Sequence, residues 1–189
     1  MRLKYAVSPA FEALGIRNSV VAEMYDLSVV PTRNDLVLEK EASAARILEI
    51  SEEDIASDSV LESYRSLVRS IGRSPKRFPP AAEKLLRQVR RTGHYPTINA
   101  AVDAYNLVVA RTGLALGVHD LDQLDHRITF RTSAGGEEFT PVGGDKPKLI
   151  QSGDYVYADE QRVLAWLDSS DSDDVKVSTS TKNLVVVIQ

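Results

Sequence analysis

The sequence has no cysteine and only three histidines among its 189 residues. Disulfides, thiol catalysis and thiolate metal sites are therefore excluded, which fits a reducing cytoplasm. His94, His119 and His126 form no HxxxH or HExxH pattern, so we expect no metal site and no cofactor. No apolar run approaches the length of about 18 residues that spans a membrane, and the first residues lack the apolar core of a signal peptide. We therefore expect a cytoplasmic protein without a membrane partner.

Charge of each sign is concentrated in one segment. Residues 35–62 hold nine acids and two bases, whereas residues 65–91 hold nine bases and one acid. The net charge of −4 argues against general affinity for DNA. The basic segment is either a phosphate-binding surface or a solvated helix face balanced by the acidic one. The candidate RNA-binding residues are Arg73, Lys76, Arg77, Arg87, Arg90 and Arg91.

Hydrophobic periodicity changes along the chain. Apolar residues recur at helical spacing over 35–50, 60–71, 81–91 and 98–111, and strands are expected over 2–7 and 17–27. Short strands separated by turns are expected over 127–131, 138–142, 154–158, 163–167 and 184–188. We therefore predict an α+β fold, one domain over 1–189, with helices packed on an antiparallel or mixed sheet.

Three short polar residues lie on one side of the helix predicted over 98–111. At about 100° per residue, Asp103 and Asn106 fall within about 40° of Asn99, which makes a narrow polar seam. Asn and Asp weaken a helix, so their presence needs a reason. The seam either bonds the backbone of adjacent loops or lines a polar pocket.

Two consecutive segments, "PTINAAVDAYNLV" (96–108) and "GLALGVHDLDQL" (113–124), resemble the editing domain of the phenylalanyl-tRNA synthetase β subunit, the B3/4 domain. The similarity continues in "RITFRTSAGGEEFTPVGG" (127–144) and "VSTSTKNLVVVI" (177–188), and is strongest over 65–188. It implies the α+β fold of that domain and hydrolysis of a wrongly attached amino acid from tRNA. Such hydrolysis needs a held water and donors for the developing oxyanion.

The resemblance also implies roles for single residues. Asp103 and Asn106 match positions of the family's "VDVTN" segment, so we expect Asp103 to bind substrate and Asn106 to take part in catalysis. Tyr105 and Gly117 stand where the family has a pocket threonine and histidine, and both are candidate substrate-binding residues. Glycine at 117 predicts a wider pocket.

Further candidates are weighed one at a time. Glu138 matches the family's "GE" turn and is a candidate for orienting water, or else a turn carboxylate. Gly143 and Gly144 let backbone approach a ligand, or else form a hairpin turn. His119 is either a substrate-binding residue or a structural hydrogen bonder. The acidic run 168–174 lacks the glycine and terminal glutamate of a calcium loop and is expected to be solvated.

The sequence thus predicts a free-standing hydrolase that deacylates mischarged aminoacyl-tRNA. The expected pocket joins Asn99, Asp103 and Asn106 to the Glu138 and Gly143–Gly144 region. The alternative is a module that binds tRNA or an amino acid without catalysis. The sequence does not specify the amino acid, the tRNA or the oligomeric state.

Overall fold

Helices predominate up to residue 112 and strands after it, although two strands lie near the start of the chain. The computed structural model describes residues 3–16 and 18–189. The helices are α1 (Pro9–Glu12), α2 (Asn34–Glu49), α3 (Glu52–Ser57), α4 (Ser59–Ser70), α5 (Ala81–Thr92) and α6 (Ala100–Thr112). The strands are β1 (Lys4–Val7), β2 (Val20–Met24), β3 (Leu116–Asp120), β4 (Arg127–Thr132), β5 (Glu138–Phe139), β6 (Lys148–Leu149), β7 (Tyr155–Ala158), β8 (Val163–Trp166), β9 (Ser170–Asp171) and β10 (Leu184–Ile188).

The strands form three sheets. The largest has the order β1-β4-β7-β8-β9, in which β1 pairs with β4 in parallel and the other neighbours are antiparallel. The second is antiparallel with the order β2-β10-β3, and β5 and β6 form a two-stranded hairpin. The predicted α+β class with a mixed sheet is confirmed.

The three-stranded sheet lies between the helices and the five-stranded sheet. Alternate residues of β10 show this arrangement, because successive side chains of a strand point to opposite faces. Val185 and Val187 belong to the core of the five-stranded sheet, whereas Val186 and Ile188 pack against the helical core. The two hydrophobic cores therefore meet across one central sheet.

Helix ends follow local sequence signals. Ser51 and Asp54 form a capping box at the start of α3, in which each side chain bonds the other's backbone N–H. Gly93 and Gly113 end α5 and α6 with φ of 79° and 72°, a left-handed conformation that glycine adopts without strain. None of the described helices combines the length and apolarity that crossing a bilayer demands.

Most predicted elements lie within a few residues of their expected bounds. Four further elements, α3, β3, β6 and β9, were not predicted. β3 is missed because its sequence, "LGVHD", contains glycine and two polar residues although every residue is buried. Residues 2 and 17, where two predicted strands begin, lie outside the described residues.

Candidate functional site

A cavity of about 210 Å³ opens where the helices meet both larger sheets. Helices α5 and α6, the central sheet and the β8–β9 connection each contribute to its lining. The polar and charged lining residues are Lys84, Tyr105, Asn106, Tyr157, Asp168, Ser169, Ser170, Asp171 and Gln189. The rest of the lining is mostly apolar, so one cavity offers an apolar wall and an acidic wall.

Two carboxylates, Asp168 and Asp171, form the acidic wall. Burial raises the pKa of Asp171 to about 7, although the Val118 N–H and Lys84 act in the opposite direction. Burial likewise raises the pKa of Asp168 to about 6. Because desolvation favours the neutral acid, each group exchanges its proton close to neutral pH. The sequence prediction of a solvated acidic run is wrong for these two residues.

Asp168 occupies a turn with unusual backbone geometry. Leu167 and Asp168 have φ of 56° and 48°, and the Ser169 N–H donates to the Trp166 carbonyl at 3.1 Å. Two successive residues with positive φ are typical of a type I′ turn, which glycine and asparagine normally provide. Leu167 is held there by the core, since it is 1% exposed. The turn directs Asp168 into the cavity rather than into solvent.

Gly117 of β3 makes room for the hydroxyl of Tyr157. A Cβ at position 117 would collide with the Tyr157 hydroxyl and lie 3.1 Å from Asp171 Oδ1. The hydroxyl lies 2.7 Å from His119 Nε2, and His119 is fully buried. Burial lowers the pKa of His119 to about 3, so its ring is neutral. Glycine at 117 therefore does not widen the pocket, because the Tyr157 hydroxyl fills the space.

The polar seam of α6 divides into structural and cavity-lining residues. Asn99 caps the helix by accepting the Val102 N–H at 3.0 Å and donates to the Val177 carbonyl at 3.2 Å. Asp103 accepts from Lys40 Nζ at 2.7 Å, and both side chains are buried. Neither residue lines the cavity. Asn99 bonds backbone, as the other interpretation of the seam expected, whereas the Asp103 ion pair was not predicted.

Asn106 and Tyr105, the next residues along α6, do line the cavity. The Asn106 side chain forms no hydrogen bond with any described residue, so its amide remains able to meet a ligand. Burial raises the pKa of the Tyr105 hydroxyl, which therefore stays protonated. Of the seam, only Asn106 takes the position expected of a site residue.

The family of the chain follows from a comparison with protein-family models. Residues 63–189, about two thirds of the chain, match the model of the B3/4 domain. The chain belongs to the B3/4 domain family. The matched region includes every residue that lines the cavity.

Relatives of this B3/4 domain are synthetase subunits. The phenylalanine–tRNA ligase beta subunit of Fusobacterium nucleatum is 24% identical over 182 residues, covering 87% of the chain and 23% of the relative. That of Yersinia pestis is 26% identical over 177 residues, covering 85% and 22%. The chain thus spans under a quarter of these relatives' length. Among solved structures, an N-terminal fragment of the phenylalanyl-tRNA synthetase beta subunit from Pyrococcus horikoshii is similar to this chain. The match covers 100% of this chain and 43% of the fragment, with 12% sequence identity and a TM-score of 0.47.

Two predicted site regions of this B3/4 domain lie outside the cavity. Glu138 is an exposed residue of the β5–β6 hairpin, whereas its neighbour Glu137 pairs with Arg131. The Gly143 N–H donates to Asp173 Oδ1 at 3.3 Å, and Gly144 closes a turn on Pro141. Only Val142, which precedes the two glycines, reaches the cavity. Gly143 and Gly144 therefore act as turn residues beside it.

Half of the predicted RNA-binding residues are neutralised within the fold. Arg73 pairs with the buried Asp154, while Arg87 and Arg90 both pair with Glu52 of α3. The acidic segment therefore faces the basic one, as the solvated-face interpretation expected. Within residues 3–16 and 18–189, no ion pair forms at the remaining three, which are Lys76, Arg77 and Arg91.

A smaller groove of about 150 Å³ adjoins the cavity and shares Lys84, Ser169 and Ser170 with it. Arg77 and Lys148 add two exposed cations, and Trp166 and Phe78 form an aromatic side. Arg77 lies over the Phe78 ring at 5.8 Å. Basic and acidic surfaces thus lie next to each other at one opening.

The described residues contain no group of three or more histidine, aspartate or glutamate side chains placed to hold a metal ion. The acids at 168 and 171 were missed because the run "DSSDSDD" looks like a solvated loop. The apolar sequence "VLAW" just before this run could have indicated their burial. It forms a buried strand, and the first residues of a tight turn that follows a buried strand are themselves buried.

Proposed function

We propose that this B3/4 domain hydrolyses the ester of wrongly charged aminoacyl-tRNA, acting in the cytoplasm on tRNA released by a synthetase. The observation that supports the proposal is the cavity lined both by a carboxylate of near-neutral pKa and by the Asn106 amide, which has no hydrogen-bond partner among the described residues. The names of its relatives support the same substrate class, since both are phenylalanine–tRNA ligase beta subunits. A second hydrolytic site serves fidelity where binding alone discriminates poorly between similar amino acids.

Asp171 is the proposed general base. A base is most effective when its pKa lies near the working pH, and the pKa of Asp171 is raised to about 7. Ionised Asp171 accepts a proton from water as the water oxygen bonds the ester carbonyl carbon. The bond from that carbon to the ribose oxygen then breaks, and the ribose oxygen takes up the proton. The products are the free amino acid and tRNA with an intact terminal hydroxyl.

The Asn106 amide and the Tyr157 hydroxyl are the proposed donors to the developing oxyanion. Asn106 has no partner among the described residues, and the Tyr157 hydroxyl keeps its hydrogen for the oxyanion when its oxygen accepts from His119 Nε2, 2.7 Å away. Fixed donors need no reorganisation when charge develops, so they stabilise the transition state more than water does. In this proposal His119 acts on Tyr157 rather than on the substrate.

The groove beside the cavity is the proposed binding site for the tRNA end. Arg77, Lys84 and Lys148 supply positive charge for phosphate, and Trp166 and Phe78 supply aromatic surface. Single-stranded nucleic acids commonly bind to such a combination of cations and aromatic rings. Lys76 and Arg91 are further unpaired cations of the basic segment and extend this proposed surface.

The test of the proposal is ester release from a panel of mischarged tRNAs. We expect release of at least one amino acid, and a loss of about 10²–10⁴-fold in rate in Asp171→Asn, as for removal of a general base. Asp174→Asn is the matched control, because Asp174 is exposed in the same acidic run. Binding of charged tRNA without ester loss would instead support the non-catalytic binding module.

Salt dependence tests the proposed tRNA surface. Affinity for phosphates falls with salt in proportion to the contacts made. Arg77→Ala should reduce the slope of log affinity against log salt by about 1, whereas Arg87→Ala should leave it almost unchanged because Arg87 is paired with Glu52 and Glu83. An equal reduction of the slope by both variants would contradict the proposal that the groove binds the tRNA end.

A further inference from the structure

We infer that Lys84 is the general acid of this site and donates a proton to the ribose oxygen that leaves when the ester is cleaved. The inference rests on the proposed function and adds a second group that transfers a proton. It follows from the position of Lys84 between the cavity and the groove, the bonds that hold its ammonium group, and its proximity to Asp171.

Lys84 is a cation that the cavity and the groove share. An aminoacyl ester joins an amino acid, here assigned to the cavity, to the tRNA end, here assigned to the groove. Its ribose oxygen therefore lies where the two meet. Of the described residues, Lys84, Ser169 and Ser170 line both spaces. Arg77 and Lys148 line the groove and not the cavity, so they can bind phosphate without reaching the ester.

Among the three shared residues, the lysine is the one suited to act as an acid. A serine hydroxyl is no more acidic than the ribose hydroxyl that it would have to protonate, so it provides no driving force. A lysine ammonium, with an ordinary pKa of about 10.4, is charged at neutral pH and is a stronger acid than an alcohol. Desolvation lowers the pKa of Lys84, whereas Asp171 raises it and Lys148 lowers it. A stronger acid gives up its proton more readily to a developing alkoxide.

The Lys84 ammonium is held at this boundary by two oxygens. It donates to the Ser169 carbonyl, and to the Ser170 hydroxyl at 3.4 Å. An ammonium group has three N–H donors, so these two bonds leave one donor for the ribose oxygen. Lys84 is exposed, which means that a ligand at the opening can reach it.

Asp171 can supply the proton that Lys84 gives up. The two groups are near enough for the charge of each to shift the pKa of the other. Asp171 takes a proton from the attacking water, and Lys84 gives one to the ribose oxygen as the bond to the carbonyl carbon breaks. The acid form of Asp171 then reprotonates the Lys84 amine through solvent water, because a carboxylic acid is the stronger acid. One water is consumed, and both side chains return to their initial charge.

The absence of cysteine from the chain allows the Lys84 ammonium to be removed and restored chemically. Lys84→Cys carries a single thiol, and 2-bromoethylamine converts that thiol into a side chain that again ends in an ammonium group. We expect single-turnover ester release to fall about 10²–10⁴-fold in Lys84→Cys, and to recover about tenfold or more after aminoethylation. Treatment with iodoacetamide attaches a neutral amide instead, and the rate should remain low.

Lys84→Arg separates proton transfer from the effect of charge alone. A guanidinium group keeps the positive charge, but its pKa above about 12 makes it a poor acid. We therefore expect Lys84→Arg to bind uncharged tRNA as tightly as the unaltered protein and to release ester about 10²-fold more slowly. Lys182→Met is the control for loss of a charge, because Lys182 is exposed and lines neither the cavity nor the groove. It should change neither measurement.

Ester release by Lys84→Arg at the rate of the unaltered protein would overturn the inference and leave the hydrolase in place. The lack of any recovery after aminoethylation of Lys84→Cys would do the same. If the unaltered protein released no amino acid from any mischarged tRNA, the proposed function would fail, and the inference with it. The two failures are therefore distinguishable.

Discussion

Helix α6 and strand β9 each place an aspartate inside the protein, with opposite consequences. Asp103 of α6 meets Lys40 Nζ at 2.7 Å and receives the Ile98 N–H at 3.3 Å, so its charge is fully compensated. Asp171 of β9 has the Val118 N–H at 3.4 Å and no ion pair. Removing the charge of a compensated buried acid destabilises the fold because its partner is left unpaired, whereas an uncompensated acid is maintained at a cost in stability and remains available to a ligand.

The largest expected effect is at the compensated acid. Asp103→Asn should lower the free energy of unfolding by about 3–5 kcal/mol, because it leaves the Lys40 ammonium buried without its counter-charge. Urea unfolding would measure the loss. The double variant Lys40→Met with Asp103→Leu should lose much less than the sum of the single variants. A loss below about 1 kcal/mol in Asp103→Asn would contradict the comparison.

The uncompensated acid should respond in the opposite direction. The pKa of Asp171 is raised from 3.8 to about 7, so the folded protein binds more protons than the unfolded chain between these values. Its contribution to stability is therefore present below about pH 4 and is lost as the pH rises toward 7. Asp171→Asn should raise the free energy of unfolding at pH 8 by roughly 1–3 kcal/mol and change it little at pH 4. Destabilisation at pH 8 would contradict this account.

Substitution of Gly117 tests the packing at the boundary of the cavity. Gly117→Ala should lower the free energy of unfolding by about 1–3 kcal/mol, because the new methyl group displaces the Tyr157 hydroxyl from His119. The double variant with Tyr157→Phe should recover part of this loss. Thermal unfolding of the single and double variants would measure this recovery. The lack of any recovery would mean that the alanine methyl group collides with a residue other than Tyr157.

The smallest effect is expected at Glu138. Its side chain is exposed and does not line the cavity. Glu138→Gln should change the free energy of unfolding by less than about 0.5 kcal/mol and leave ester release unchanged. A large loss of ester release would mean that Glu138 takes part in catalysis, as the sequence analysis had proposed.

Local patterns were sufficient to predict the fold class and most helices. Caps, glycine stops and apolar periodicity act over a few residues, so α5 and α6 were predicted within a few residues. β3 was not predicted because its burial depends on pairing with β10, which is distant in the chain. β9 was not predicted because it has only two residues, both polar.

The site was predicted only in part for the same reason. Asn106, Tyr105 and Gly117, which the family resemblance indicated, all line the cavity, and their roles stay predictions. The partner of Asp103 is Lys40, 63 residues away, and helical spacing contains no information about it. Asp168 lines the cavity from a turn in which two non-glycine residues have positive φ, and the sequence contains no glycine there to indicate such a turn.

The most direct test compares initial rates of ester release by Asp171→Asn and Asn99→Ser on the same aminoacyl-tRNA. Serine also caps helices, so Asn99→Ser preserves the start of α6. We expect Asp171→Asn to lose at least about 100-fold in rate and Asn99→Ser to remain within about twofold of the unaltered protein. A rate retained by Asp171→Asn but lost by Asn99→Ser would move the site to the helix seam and contradict the account.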